Sequence, residues 1–412
     1  MNGNADALID SRTAWIRLAA IVALATIGGA GMWSVVVALP HVQAEFGATR
    51  AEASLPYTLT MLGFGAGGIL MGRLADRFGV MVPLLGAAVA LAAGYVAAGL
   101  APSLLVYALA QGLLIGMLGA AAAFGPLMAD ASLWFRRRRG IAVALAASGN
   151  YLAGAVWPPV LTWLIADHGW RMAHVVVGVT CLVTMLPLAL LLRARPPGMR
   201  TGSALPQGGS DNPLGLSRNG LTAVLCVAGV ACCVAMAMPQ VHIVAYCGDL
   251  GYGVARGAEM LSLMLACGIV SRVASGFIAD RIGGLRTLLL GSVAQGASLA
   301  LFLFFDGLAS LYVLSALFGL MQGGIVPSYA VIVREHFPAS EVGTRVGIVL
   351  FATLFGMAFG GWLSGLVFDL TGSYFAAFLN GVAWNAANVI IVATLLIRAK
   401  GLGLGGHTRL RA

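Results

Sequence analysis

Charge is the scarcest commodity in this 412-residue chain: Asp, Glu, Lys and Arg together make 9% of it, and Lys400 is the sole lysine. Set against 60% hydrophobic residues, so few charges cannot cover a water-soluble globule, which excludes a soluble enzyme or binding module. Paired metal ligands are also missing. Cys181, Cys226, Cys232, Cys233, Cys247 and Cys267 lie in or beside apolar runs without a CxxC pair or a His pair, which excludes a zinc or redox centre and leaves them as small packing residues. There is no G-x-x-x-x-G-K-[ST] phosphate loop, so direct drive by ATP is not expected. No HExxH, Ser/His or paired-aspartate constellation is placed for hydrolysis, so an enzyme is not expected, and no cofactor is implied.

Strand-type alternation is absent as well, and what remains is long apolar runs. A helix needs roughly 20 mostly apolar residues to cross a bilayer core. The runs fall at about 15–39, 53–72, 81–101, 104–129, 140–166 and 172–192, then 219–246, 258–278, 286–305, 309–333, 342–368 and 374–397. The expected fold is an all-α membrane protein of twelve transmembrane helices in two six-helix, pseudo-symmetric bundles. The expected divisions are an N-terminal tail (1–14), a first bundle (15–193), a linker (194–218), a second bundle (219–397) and a C-terminal tail (398–412). The linker is rich in Pro, Gly, Ser and Arg, as a flexible connection would be. The first run is too long for a signal peptide and is expected to stay as a helix.

Arginine distribution orients these spans. With a cytoplasmic N-terminus, one face collects Arg12, Arg17, Arg73, Arg77, Arg136 to Arg139, Arg193, Arg195, Arg200, Arg218, Arg281, Arg286, Arg334, Arg345, Arg398, Lys400, Arg409 and Arg411. The other collects only Arg50, Arg171 and Arg256. Positive residues concentrate on the cytoplasmic side, so both termini are expected there. The net charge of +9 follows from that topology, with no nucleic-acid partner required. The Arg136 to Arg139 run suits acidic lipid headgroups. An Ala-, Gly- and Arg-rich chain with one lysine fits a GC-rich bacterial genome, hence the inner (plasma) membrane.

The segment GRLADRFG, Gly72 to Gly79, recurs as GFIADRIG, Gly276 to Gly283, at an offset of 276 − 72 = 204 residues. In each copy the leading glycine (Gly72, Gly276) is expected to end a helix. The aspartate (Asp76, Asp280) is expected to cap a neighbouring helix, and the arginine (Arg77, Arg281) to stay on the cytoplasmic side beside Gly79 or Gly283. Such a cluster can latch one bundle to another as a gate. The spacings Gly112 to Gly116 and Gly356 to Gly360 permit close helix crossings within a monomer.

This motif between spans 2 and 3, copied between spans 8 and 9, resembles the major facilitator superfamily. The resemblance implies two halves rocking about a central cavity to give alternating access. EFGATRAEASLPYTL, WFRRRRGIAVALAASGNYLAG, HGWRMAHVVVG, PQVHIVAYCGDLG, SRVASGFIADRIGG and FGMAFGGWLSGLVFDLTGSYFAAF resemble, in the same order, the monocarboxylate and oxalate/formate branch.

Arg272 is the leading site candidate. It precedes Asp280 by eight residues, which at 1.5 Å per residue sets it roughly 12 Å into the core. An arginine there costs at least about 2.5 kcal/mol on insertion scales and faces a bundle interior or wet cavity. No acidic residue lies within one turn of it along its own span, which suits a guanidinium that grips an anionic substrate through parallel hydrogen bonds. The resemblance implies the same role, since the branch binds the substrate carboxylate with its span-8 arginine. The alternative is an arginine that snorkels or pins packing.

Departures from the branch restrict the reading. Trp33 stands where animal relatives carry a lysine, and the second lysine of the oxalate transporter is absent. One deep cation suits one carboxylate, so a dicarboxylate is disfavoured. A symported proton needs another carrier. His242, with an unperturbed pKa near ~6.5, is one candidate; it has the alternative of bonding substrate or a backbone carbonyl. Asp130 could exchange partners with the arginine run or form an interfacial ion pair, and the substrate could itself carry the proton. Trp33, Tyr57, Asn150, Tyr151, Gln322 and Tyr329 are candidate cavity walls, each with a packing alternative. Rival readings are an exporter of drugs or amphipathic metabolites, for which Arg272 would be dispensable, and a non-transporting membrane sensor.

Overall fold

A computed structural model describes residues 9–135, 137–194 and 213–401. Most of the expected linker, the tail beyond residue 401 and Arg136 lie outside the described residues. The described chain is helical throughout, with no strand among the described residues. In order the helices are α1 (Arg12–Phe46, interrupted at Gly29), α2 (Arg50–Phe78), α3 (Met81–Gly99) and α4 (Leu104–Trp134). A single run, Arg139–Leu190, breaks at Gly169 into α5 (139–168) and α6 (170–190). Then come α7 (Arg218–Asp249), α8 (Val254–Ile282), α9 (Gly284–Leu301), α10 (Leu308–His336, broken at Gly323 and Gly324), α11 (Ala339–Thr371) and α12 (Tyr374–Gly401). Counting the Ile141–Leu190 run once and without α9, ten segments among the described residues are long and apolar enough to cross a membrane.

Local chemistry starts and stops these helices. Ser11 caps α1 by accepting from the Ala14 amide at 3.3 Å. A reciprocal box opens α2: Thr49 Oγ1 accepts from the Glu52 amide at 3.2 Å, and Glu52 Oε2 accepts from the Thr49 amide at 2.9 Å. The duplication survives in the fold, since α2 and α8 share both ends at the same offset (254 − 50 and 282 − 78 are each 204). Helix irregularities recur too. In α4 a π-helical turn, Ala110–Gly119, gives way to a 3₁₀ turn at Ala120, and 204 residues later α10 breaks at Gly323 and Gly324.

The repeated motif needs one correction. Gly72 and Gly276 lie inside α2 and α8, with open space where a Cβ would stand. The helices end at the trailing glycines instead. Gly79 (φ 84°, ψ 160°) and Gly283 (φ 83°, ψ 163°) adopt a conformation essentially confined to glycine. Each donates its amide back into the last turn, to Ala75 O at 2.8 Å and Ala279 O at 2.9 Å. Asp76 and Asp280 are exposed and cap no helix among the described residues. Glu335 does that work for α9, accepting from the Gly284 amide at 3.0 and 3.2 Å.

The chain gathers into two compact units. One lies within Met1–Gly202 together with Ile243–Leu265; the other lies within Ser203–His242 together with Ala266–Ala412. In the first unit, α1 and α5 cross at the distance of small residues, with Ala153 against Gly29 and Ala25 against Gly149. Gly112 and Gly116 seat α4 on Leu59 and Thr60 of α2. The second unit closes on a core of Leu225, Cys232, Leu288, Tyr329, Val349 and Leu395. Here Gly356 and Gly360 seat α11 on Val230 and Val234 of α7. These glycine pairs therefore serve crossings inside the chain. All six cysteines are free, and no cluster of metal-ligating side chains occurs among the described residues.

Candidate functional site

Backbone contact between α8 and α10 positions Arg272 in the second unit. A Cβ on Gly323 would overlap Gly268 O and come within 2.9 Å of Ser271 Cβ and 3.1 Å of the Arg272 amide, while one on Gly324 would overlap Ser275. Two successive glycines let the broken α10 lie directly on the α8 turn that carries the arginine. The side chain is half-buried, and its Nε donates to Gly323 O at 3.4 Å. Ser275 Oγ donates to the Arg272 carbonyl at 3.0 Å.

Immediately before that break, Gln322 is fully buried. Its Oε1 accepts from Gln240 Nε2 of α7 at 2.7 Å. Its own Nε2 has no hydrogen-bond partner among the described residues. Such orphans are uncommon, and each costs roughly 1–3 kcal/mol.

His242, two residues from Gln240 along α7 in the direction of Asp249, faces Gly361 O through Nε2 at 2.8 Å. A ring nitrogen against a carbonyl oxygen must carry a hydrogen, so Nε2 is the donor. Tyr329 turns into the core, where its hydroxyl accepts from Asn388 Nδ2 at 2.8 Å; the same nitrogen donates to Ala228 O at 2.7 Å. Asn388 thus joins α12 to α7 and α10.

In the first unit, Trp33 is buried and its Nε1 donates to the Asn150 carbonyl at 3.3 Å. Gly154 accommodates the indole: a Cβ there would lie 2.7 Å from its Cε2. Tyr57 and Tyr151 are buried in the same unit. The structure thus joins Arg272 to Gly323, the residue after Gln322, and Trp33 to Asn150, while Tyr329 packs in a core.

Among the described residues, Asp130 pairs with an arginine outside the Arg136 to Arg139 run. It takes Arg17 of α1 in a two-pronged ion pair, Nε to Oδ2 at 2.7 Å and Nη2 to Oδ1 at 2.8 Å, with both side chains about 95% buried. Arg17 Nη2 also donates to Leu192 O at 3.2 Å, and its guanidinium lies 4.5 Å from the Trp134 ring centroid. Arg137 and Arg138 are exposed. Elsewhere in this unit, Tyr107, Gln111 and His174 form a buried polar cluster, with His174 Nε2 3.2 Å from the Tyr107 hydroxyl and 3.3 Å from Gln111 Nε2.

Sequence reasoning missed Gln240, Gly154, Asn388 and the Arg17 pairing. Gln240 had a visible signal, a polar amide two residues before His242 in a strongly apolar run. The partner of Arg17 lies 113 residues away, and nothing local announces it.

Comparison with known proteins bears on this geometry. Rat monocarboxylate transporter 13 is 30% identical over 353 residues, covering 83% of this chain and 78% of its own. The MFS-type transporter pynF of Aspergillus niger is 27% identical over 292 residues, covering 69% of this chain and 64% of its own. Among solved structures, the nucleoside transporter NupG superposes with a TM-score of 0.70 at 14% identity, over 93% of this chain and 99% of that one, a likeness of fold alone. The family pattern described as Major Facilitator Superfamily matches residues 21–308 and, in a second alignment, 249–403. With a helical fold, a duplicated motif and a match that spans most of its length, the chain belongs to the Major Facilitator Superfamily of multi-pass membrane transporters.

Proposed function

We propose that this transporter moves a small monocarboxylate or related organic anion across the inner (plasma) membrane by alternating access, in symport with a proton. Arg272 carries the reading. It is a half-buried arginine of α8 set against the glycine break of α10, which follows directly on the buried Gln322. Such a group can neutralise one carboxylate and fork two hydrogen bonds to it. The rat relative named for monocarboxylates supports that substrate class. Bound anion need only favour one state over the other to drive the cycle.

Twelve crossings are proposed, because Gly169 divides the long run into α5 and α6 and the 18-residue α9 adds another. The halves are read as 15–193 and 219–397, with both termini cytoplasmic and the chain acting as a monomer. The orientation rests on the concentration of arginine on one face of the spans. The coupling proton is carried by the substrate or by His242 of α7, whose Nε2 meets Gly361 O of α11.

A second reading, export of drugs or amphipathic metabolites, is favoured by an apolar cleft of about 560 Å³ between α1 and α5, lined by residues such as Trp15, Leu18, Val22, Ile27, Leu145 and Leu152. The deciding experiment is uptake of labelled lactate, pyruvate and formate into proteoliposomes, with and without an inward proton gradient, for wild type and Arg272→Ala. Accumulation that depends on the gradient and disappears in a folded Arg272→Ala protein is expected. Equal uptake by the two proteins, or none by either, would move the exporter reading to first place.

A further inference from the structure

The proposed anion site contains a feature that a bare carboxylate does not use. Gln322 sits next to the glycine whose carbonyl holds Arg272 Nε, and it is fully buried. Its oxygen is occupied by Gln240 Nε2 at 2.7 Å, while its own nitrogen has no partner among the described residues. A carboxamide held by its oxygen presents only donors on its other side. Gln240 is what fixes that choice. Without it the Gln322 side chain could rotate and offer its carbonyl instead.

We infer that Gln240 is a positioning residue that turns the Gln322 amide into a second donor beside Arg272, making the site selective for monocarboxylates with a hydrogen-bond acceptor at C2, the 2-oxo acids foremost. The inference rests on the anion reading proposed above and extends it to the rest of the substrate. Arg272 takes the carboxylate, and the Gln322 N–H takes the neighbouring oxygen. A fatty acid with a plain methylene at C2 leaves that N–H unsatisfied. An amino acid is worse, because its ammonium sets donor against donor next to a guanidinium. Sites built to hydrogen-bond a substrate group discriminate strongly against analogues lacking it, because their own buried groups are then left without partners.

The probes are labelled pyruvate and propionate, alike in carbon number and charge and differing in the C2 oxygen. Wild-type proteoliposomes are expected to show a kcat/KM roughly tenfold or more in favour of pyruvate, with alanine failing to compete. Gln322→Leu should bring the ratio close to one by lowering pyruvate transport and sparing propionate. Gln240→Met, which keeps Gln322 but releases its oxygen, should lower the ratio part of the way, mainly through KM for pyruvate. A merely structural pair would reduce both substrates together and leave the ratio unchanged. That result, in variants that keep wild-type thermal unfolding, overturns the inference even where Arg272→Ala abolishes transport of both acids. If Arg272→Ala transports both acids like wild type, the anion reading itself fails and this inference falls with it. Should Gln322→Leu not fold, Gln240→Met decides the matter by the same ratio.

Discussion

Consider the loss of Arg17. Its guanidinium and the Asp130 carboxylate are about 95% buried and make two contacts of 2.7 and 2.8 Å. The arginine also ties the end of α6 through Leu192 O and covers the Trp134 ring. Arg17→Met removes all of these at once and leaves a carboxylate without its cation in a site sealed from water. Stranding one member of a buried pair costs about 3–5 kcal/mol. Asp130→Asn keeps one acceptor for the guanidinium and exchanges a charge-assisted bond for a weaker one, so its cost should be smaller, roughly 2 kcal/mol. In the double variant Arg17→Met/Asp130→Leu no charge is buried, and apolar replacements of buried pairs are often near neutral. The double variant should therefore be more stable than Arg17→Met alone, with a coupling energy of about 2 kcal/mol or more. Denaturant titration in detergent micelles, followed by far-UV circular dichroism, of wild type, Arg17→Met, Asp130→Leu and the double variant measures the four corners of the cycle. Two single substitutions that each cost under about 1 kcal/mol and add independently would refute the reasoning, since a water-exposed pair behaves in that way.

Three glycine contrasts follow. Gly79→Ala and Gly283→Ala should each cost about 1–3 kcal/mol through backbone strain, whereas Gly72→Ala and Gly276→Ala, in helix interiors with open space, should be neutral or gain up to about 1 kcal/mol; thermal unfolding separates the two sets. Gly154→Ala puts a methyl 2.7 Å from the Trp33 ring, so it should cost about 1–3 kcal/mol and change a tryptophan emission component that is absent in Trp33→Phe. Gly323→Ala forces α10 off the backbone of Arg272, and anion uptake should fall with a raised KM even where the folded fraction is normal.

Reading helices from this chain was possible because bilayer thickness imposes a length and apolarity that no other segment meets. The GRLADRFG and GFIADRIG copies also announced the duplication, and the structure keeps their offset along α2 and α8. The role of each glycine in those copies was not legible. A glycine inside a helix and one at its end look alike in sequence, and only the backbone angles at Gly79 and Gly283 distinguish them. Arg272 could be singled out because an arginine deep in an apolar run is costly wherever it points. Which groups surround it could not be inferred, because Gly323 lies 51 residues further on and is one of 56 glycines.

Composition and periodicity thus determined, without a structure, that this is a helical membrane protein with a repeated half and one arginine of special interest. The membrane helices and the singular arginine follow from the solvent: a bilayer penalises each residue by its own polarity, so the signal is local and additive along the chain. Tertiary structure alone decided that Asp130 belongs to Arg17, that Gln240 holds Gln322 by its oxygen, and that Tyr329 faces a core. Those choices depend on which helix faces come together, and contacts between residues about 60 to 113 positions apart leave no mark on either neighbourhood in the sequence.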